Sequence, residues 1–222
     1  MDVKRVFDRL ASFDEKSRNF PIRAMLRAGL PRRSYTWKCP VNLDQGSEGA
    51  CTGFSTAQEA AAKPVMVKNV TNDLAREIYH RARQLDEWPG EDYEGSSVLA
   101  AVKAGAERNW YKEYRWAFGE DDLALAVGYK GPAILGIPWY EGMCKPDAAG
   151  IIAVTGKVLG GHAILCNGYN AKKSLYRLHN SWGADWGVAG DCFISAADID
   201  RLLHEKGEAC IPVVRGLGTT PA

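Results

Sequence analysis

Four residues, far apart in a chain of 222, have the types and order that nucleophilic catalysis requires: Gln45, Cys51, His162 and Asn180. Cys51 follows a loop containing Gly46 and Gly49. It precedes a run, Phe54–Lys63, that is patterned as a helix and stopped by Pro64. The thiol therefore sits at or near a helix N-terminus, where the partial positive charge favours thiolate and lowers the pKa from about 8.5. A thiolate nucleophile also needs an imidazole as proton carrier, a group to hold that imidazole in one tautomer, and a donor for the developing oxyanion. His162 follows Gly160-Gly161 at the mouth of an apolar run, and Asn180 ends another, with a side-chain carbonyl suited to the imidazole N–H. Trp182, two residues on, is placed to keep water off that bond. Gln45 lies across the glycine loop from Cys51, so its amide and the Cys51 backbone N–H can face one oxyanion.

A lone cysteine is by default a small buried hydrophobe, and Cys39, Cys144, Cys166, Cys192 and Cys210 are read that way. Cys51 departs from that default because Gln45, His162 and Asn180 accompany it in order. His80, His179 and His204 are read as ordinary structural histidines. No C-x-x-C pair occurs among the six cysteines, so neither a metal site nor a disulfide framework is expected.

The elements that would position these groups are segregated. Val3, Val6, Phe7 and Leu10 have helical spacing, and a short helical pattern covers Ile22–Ala28. Amphipathic helices are predicted over Leu74–Leu85 and Ser97–Gly105. Short strands follow at Ala133–Ile137, Ile151–Val158, His162–Tyr169, Ser174–His179 and Asp191–Ile194. Ser195-Ala-Ala-Asp198 resembles a capping box opening a last helix, Ala196–Lys206. Helices first and strands second imply an α+β protein. The expected division is an N-terminal extension, 1–38, then a body, 39–214, then a tail, 215–222. Within the body a helical lobe runs to about residue 130 and a β lobe from about 131.

These motifs resemble the papain family of cysteine peptidases. The family pattern Gln-Gly-x-Cys-Gly-x-Cys-Trp has its counterpart in Gln45-Gly-Ser-Glu-Gly-Ala-Cys51-Thr, and the His-Ala strand in Gly161-His162-Ala163. The run Asn180-Ser-Trp-Gly-Ala-Asp-Trp186-Gly187, followed by Gly190-Asp-Cys-Phe-Ile194, is the most specific part. The likeness spans about residues 37–195. It implies a two-lobed fold, a helical lobe packed on an antiparallel or barrel-like β lobe with the active-site cleft between. It also implies roles: Gln45 as oxyanion donor, Cys51 as nucleophile, His162 as base, Asn180 as its orienter. Gly95, Ser96 and Ser97 resemble the segment that pairs with substrate backbone beside the main specificity pocket, which Ala163 and Trp182 also approach. The implied activity is that of an endopeptidase working through a thioester, without metal or organic cofactor, on a peptide or protein substrate.

The departures from the pattern carry expectations of their own. Glu48 replaces a disulfide-forming cysteine and brings a carboxylate near Cys51, which would raise the thiol pKa. Thr52 replaces a tryptophan. Only 50 residues precede Cys51, too few for the family's long inhibitory propeptide, so latency falls to the short extension or to assembly. The likeness is to compact, disulfide-poor bacterial and phage members.

Composition adds exclusions. With 46% apolar and 25% charged residues and a net charge of +1, no global field points to nucleic acid or membrane. Runs such as Ala163–Cys166 are too short to span a bilayer. The N-terminal stretch is too often interrupted by charge for a secretory signal, so a cytoplasmic protein is expected, or a virion component. The rival reading is a structural or peptide-binding component of a larger assembly, such as a phage virion, tethered by the basic N-terminal extension and the Gly/Thr/Pro-rich tail. A transpeptidase sharing the acyl-enzyme is a third.

Overall fold

The computed structural model describes residues 4–12, 14–88 and 94–215. An extended stretch containing β1 (Arg9–Leu10) opens the chain, followed by 3-10 turns at Glu15–Asn19 and Ile22–Met25 and by β2 (Tyr35–Thr36). Then come α1 (Cys51–Ala61), α2 (Asn72–Leu85), β3 (Ser96–Ser97), α3 (Val98–Glu107), β4 (Tyr111–Trp116) and α4 (Glu120–Tyr129). The second half holds β5 (Ala133–Tyr140), β6 (Val158–Asn170), β7 (Leu175–His179), β8 (Asp191–Ser195), α5 (Ala196–His204) and β9 (Glu208–Arg215).

The architecture is α+β. The main sheet is antiparallel, in the order β4-β9-β5-β6-β7-β8 with β2 added beside β6, and it does not close into a barrel. Its core packs against α4 and α5 through Leu123, Ala124, Val127, Ile199 and Leu202. A second core joins α1, α2 and α3, and α1 also packs against β6. Every residue of α1 is buried, the polar Thr52, Ser55, Thr56, Gln58 and Glu59 included. In α2 only Ala75, Ile78, Tyr79 and Ala82 are buried, one stripe at helical spacing, and the Thr71 side chain caps its first turn. Ser195 caps α5 by accepting the Asp198 N–H, as the capping-box pattern predicted.

Three expectations change. Val6, Phe7 and Leu10 do not form a helix; the chain there is extended, and Val3 lies outside the described residues. Asp8 bridges to Gly161, and Arg9–Leu10 pair in parallel with Ser96–Ser97, so backbone groups that a helix would satisfy internally are satisfied by the body. The strand expected over Ile151–Val158 is irregular apart from a bridge from Ile151 to Phe193, and Val158 instead begins β6. The sheet also draws on strands that the sequence pattern did not mark, β2 at Tyr35–Thr36 and β4 from Tyr111, and it takes the neighbour of β4, β9, from the end of the described residues. Pro212 obscures β9 as a strand. It is tolerated because β5 pairs with β9 only at residues 208–210, so beyond Cys210 the strand has a neighbour on one side, β4. The tail residues 216–222 lie outside the described residues.

The basic extension is tied down locally. Arg5 pairs with Asp44, Arg9 with Glu208, Arg23 with Asp121 and Asp122, and Arg32 with Glu120 and Asp121. Three of those carboxylates form the first turn of α4, where negative charge also complements the helix dipole. Among the described residues, no helix is long and apolar enough to cross a membrane.

Candidate active site

Cys51 is the first residue of α1, and no side chain caps the helix there, so its first-turn N–H groups are free to act on the thiol. The thiol is fully buried. Burial pushes its pKa up to about 11, against the pull of the Ala163 N–H and the Arg9 guanidinium and with a further push from Asp8. The lowered thiol pKa expected from the helix terminus is therefore reversed, and burial is the reason. The carboxylate that Cys51 feels is Asp8. Glu48 instead turns its carboxylate to Arg76 on α2, 3.0 Å away.

His162 stands in β6, fully buried, with Nε2 2.9 Å from Asn180 Oδ1. The same Asn180 oxygen accepts the Ser181 backbone N–H at 2.9 Å. A backbone N–H can only donate, so this atom is the oxygen and His162 Nε2 must carry the proton. Nδ1 is then a bare lone pair, buried and without a hydrogen-bond partner. Burial lowers the His162 pKa to about 4, opposed by the Asn180 bond and helped by the charge of Arg5. Ala163, the next residue, shares one buried cluster with Cys51.

Gln45 is held from two sides. Its backbone N–H donates to Ser181 O at 2.9 Å and its Oε1 accepts the Ser181 hydroxyl at 2.7 Å. That leaves Nε2 as a donor, with one hydrogen used on Glu48 O at 2.8 Å and a second to offer. Gln58 of α1 donates to the Asn180 carbonyl at 3.0 Å, fastening the helix that Cys51 opens to the residue that His162 bonds. Trp182 lies against the imidazole with ring centroids 5.2 Å apart, and Trp139 of β5 closes another side at 4.7 Å.

Of the proposed substrate-side residues, Ser96 and Ser97 present backbone rather than hydroxyls. The Ser96 Oγ is spent on Asp86 at 2.9 Å, and the Ser97 Oγ caps α3. Their backbone pairs with Arg9 and Leu10 of the same chain. Gly95, at φ 103°, meets Asp8 so closely that a Cβ there would overlap the Asp8 carbonyl oxygen.

The N-terminal stretch is what sequence patterning missed. Residues 5–10 cross the site as an extended arm. Arg5 reaches Asp44, Gly46 O and Trp182 O. The Phe7 ring packs on His162, Trp139 and Trp182 at 6.1, 6.5 and 5.9 Å. Asp8 lies against Gly49 and Gly95, and Arg9 inserts its guanidinium beside Glu208. Nothing in the spacing of these residues marks them as cleft ligands. The one available signal was Glu208 itself, a carboxylate at the head of an otherwise apolar run.

Comparison with known proteins places this geometry. A sequence model of the papain family cysteine protease matches residues 83–202, which contain His162 and Asn180 but neither Cys51 nor Gln45. An uncharacterized peptidase C1-like protein of Acanthamoeba polyphaga mimivirus is 22% identical over 236 residues, covering 82% of this chain and 76% of its own. Xylellain, a cysteine protease from Xylella fastidiosa, superposes with a TM-score of 0.68 at 17% identity, over 97% of this chain and 98% of its own. The bromelain protease from Ananas comosus, solved with the E64 inhibitor, gives 0.62 at 15% identity, over 84% of this chain and all (100%) of its own.

Proposed function

Because the chain belongs to the papain family of cysteine proteases, we propose that it is an endopeptidase acting through Cys51, His162, Asn180 and Gln45, with its own arm as a removable cover. The observation that carries the reading is the state of His162: Nε2–H is fixed on Asn180 and Nδ1 is left as a buried lone pair with nothing bound to it. In the reaction, Nδ1 takes the Cys51 proton and the thiolate attacks the scissile carbonyl. The oxyanion forms between the Cys51 N–H and the second Gln45 amide hydrogen. His162 returns the proton to the leaving amine, and a water activated by the same nitrogen then hydrolyses the thioester.

Under the arm the thiol and the imidazole are both neutral, since burial disfavours both charged forms. Uncovering admits water and lets the ion pair form. The groove carries chain on both sides of Asp8, from Arg5 to Leu10, which suits an internal peptide bond better than a terminal one. The imidazole that serves the leaving amine lies against Phe7 and Trp182, so the leaving segment belongs on that side and the acyl segment on the Ser96 side. A substrate would then run from Ser96 toward Trp182. The arm runs the other way, which accounts for its survival over a nucleophile.

The test is hydrolysis of a fluorogenic protein substrate by Phe7→Ala protein, in which the cover is loosened. Turnover is expected, together with labelling of Cys51 by a vinyl sulfone, and both disappear with Cys51→Ala. Gln45→Ala is expected to lower the rate on the order of 10²-fold. Absence of both turnover and labelling from the Phe7→Ala protein would sink the hydrolase reading. It would leave the peptide-holding component as the reading favoured by a cleft already filled with peptide.

A further inference from the structure

We infer that the outer face of strands β6, β7 and β8 is a docking trough for another protein, taking an extended segment that carries acidic side chains beside apolar ones. The trough lies outside the cleft, so it stands with either reading of the cleft. Strand register builds it. Thr36 of β2, Gly168 of β6, Arg177 of β7 and Phe193 of β8 form one row across the sheet. Alternation turns Tyr176, Leu178, Cys192 and Ile194 into the core. It leaves Leu175, Arg177 and Phe193 only partly covered on the opposite face.

Two cavities adjoin on that face, of about 460 and 190 Å³, with Thr36 and Arg177 in the walls of both. The larger is bordered by Tyr35, Ile151, Leu175 and Phe193, with Lys173 beside them. Tyr35 and Ile151 are exposed, and apolar surface rimmed by polar groups is the mark of a contact site. The smaller leads past Lys38 to His179 and Asp191. Four cations therefore line the trough: Lys38, Lys173, Arg177 and His179, whose two ring nitrogens face only acceptors and so carry protons. Against them stands one carboxylate, Asp191, which Arg177 and His179 share. Among the described residues, no carboxylate pairs with Lys38 or Lys173. In a chain whose net charge is only +1, this is a concentrated positive field.

Sign and shape together choose the occupant. A carboxylate laid on Lys38 or Lys173 displaces no existing ion pair, so its attraction is not offset by a broken one. An apolar side chain between the two lysines covers Ile151, Leu175 and Phe193 from water. An extended peptide presents side chains of both kinds within a few residues. A nucleic-acid strand offers the charge but lacks the aliphatic groups that Ile151 and Leu175 would cover.

The test uses full-length protein carrying Cys51→Ala, with the arm in place over the cleft, so that turnover plays no part in the readout. The probe is a fluorescein-labelled peptide, Glu-Asp-Phe-Glu-Ile-Asp-Glu, followed by anisotropy as protein is added. Saturable binding is expected. Adding Lys38→Glu and Lys173→Glu together, both at exposed positions, is expected to weaken it at least about tenfold. Phe193→Ser is expected to do the same, with folding checked by thermal melting. A probe with glutamine and asparagine in place of its acids, or one with glycine in place of its phenylalanine and isoleucine, is expected to bind at least about tenfold more weakly. No saturable binding at millimolar protein overturns the trough, and so does binding that the double lysine variant leaves unchanged. A labelled hexathymidylate that binds as tightly as the peptide, and is lost equally in the lysine variant, overturns the peptide assignment in favour of nucleic acid.

Discussion

His162 and His179 sit on neighbouring strands of one sheet, both buried, and their surroundings drive them to opposite states. His179 Nδ1 faces Asp191 at 2.8 Å and Nε2 faces the Val41 carbonyl at 2.7 Å. Both partners only accept, so both nitrogens must carry protons. Burial opposes that charge, but the Asp191 hydrogen bond and its carboxylate, with Cys39 adding, outweigh it and push the pKa up to about 10. His162 has one neutral acceptor, Asn180, and one empty nitrogen, and its pKa falls to about 4. A histidine whose two nitrogens are both spent is a structural cation. One with a neutral orienter and a vacant lone pair can do chemistry. The amide in place of a carboxylate is what keeps His162 able to release its proton.

The comparison is broken most directly by exchanging each ring for glutamine. In the uncovered protein, His162→Gln is expected to lower kcat by about 10⁴-fold. His179→Gln is expected to leave kcat within a few-fold but to cost about 1–3 kcal/mol in urea unfolding, because Asp191 loses one of its two cationic partners and keeps only Arg177. Equal kinetic losses from the two would remove the distinction.

Stability against pH separates them next. His162 has a folded pKa depressed below the ordinary 6.5, so its contribution is present above pH 6.5 and is lost as pH falls toward 4, by roughly 3 kcal/mol at about 1.4 kcal/mol per unit. His179 has a raised folded pKa, so its contribution is present below pH 6.5 and is lost as pH rises through about 10. Urea midpoints of His162→Gln should therefore lose much of the acid-side fall, and those of His179→Gln much of the alkaline-side fall.

The same logic reaches sulfur. In the covered protein, iodoacetamide is expected to modify Cys51 slowly at neutral pH, with a rate that climbs until about pH 11. The Phe7→Ala protein should react at least about tenfold faster at pH 7, read as Cys51 adduct by peptide mass mapping. The smallest effect sharpens the comparison: Asn180→Asp would give His162 an anionic partner like that of His179. Its pKa is expected to rise by about one unit or more in an NMR titration.

How much of this was legible depended on whether the signal was local. The helix opening at Cys51, the cap at Ser195 and the loop of Gln45 are set by residues a few positions apart, and sequence patterning found them. The strands β6, β7 and β8 show their alternation and turn residues plainly. Strand β9 did not, because its Pro212 is permitted only by the absence of a second neighbour, which is a property of the whole sheet. The helical spacing of Val6, Phe7 and Leu10 misled for the same kind of reason: an arm that docks in a groove takes its conformation from the groove.

The amino-acid order alone determined which groups could serve as nucleophile, base, orienter and oxyanion donor, because residue type limits what each can donate, accept or attack. The tertiary structure decided their charge, since the pKa of Cys51 and of His162 depends on what excludes water from them. It also decided what lies across the thiol and which side chain meets Glu208, 199 positions away from Arg9. Burial and long-range pairing are properties of neighbours in space, and a chain read in order lists neighbours of another kind.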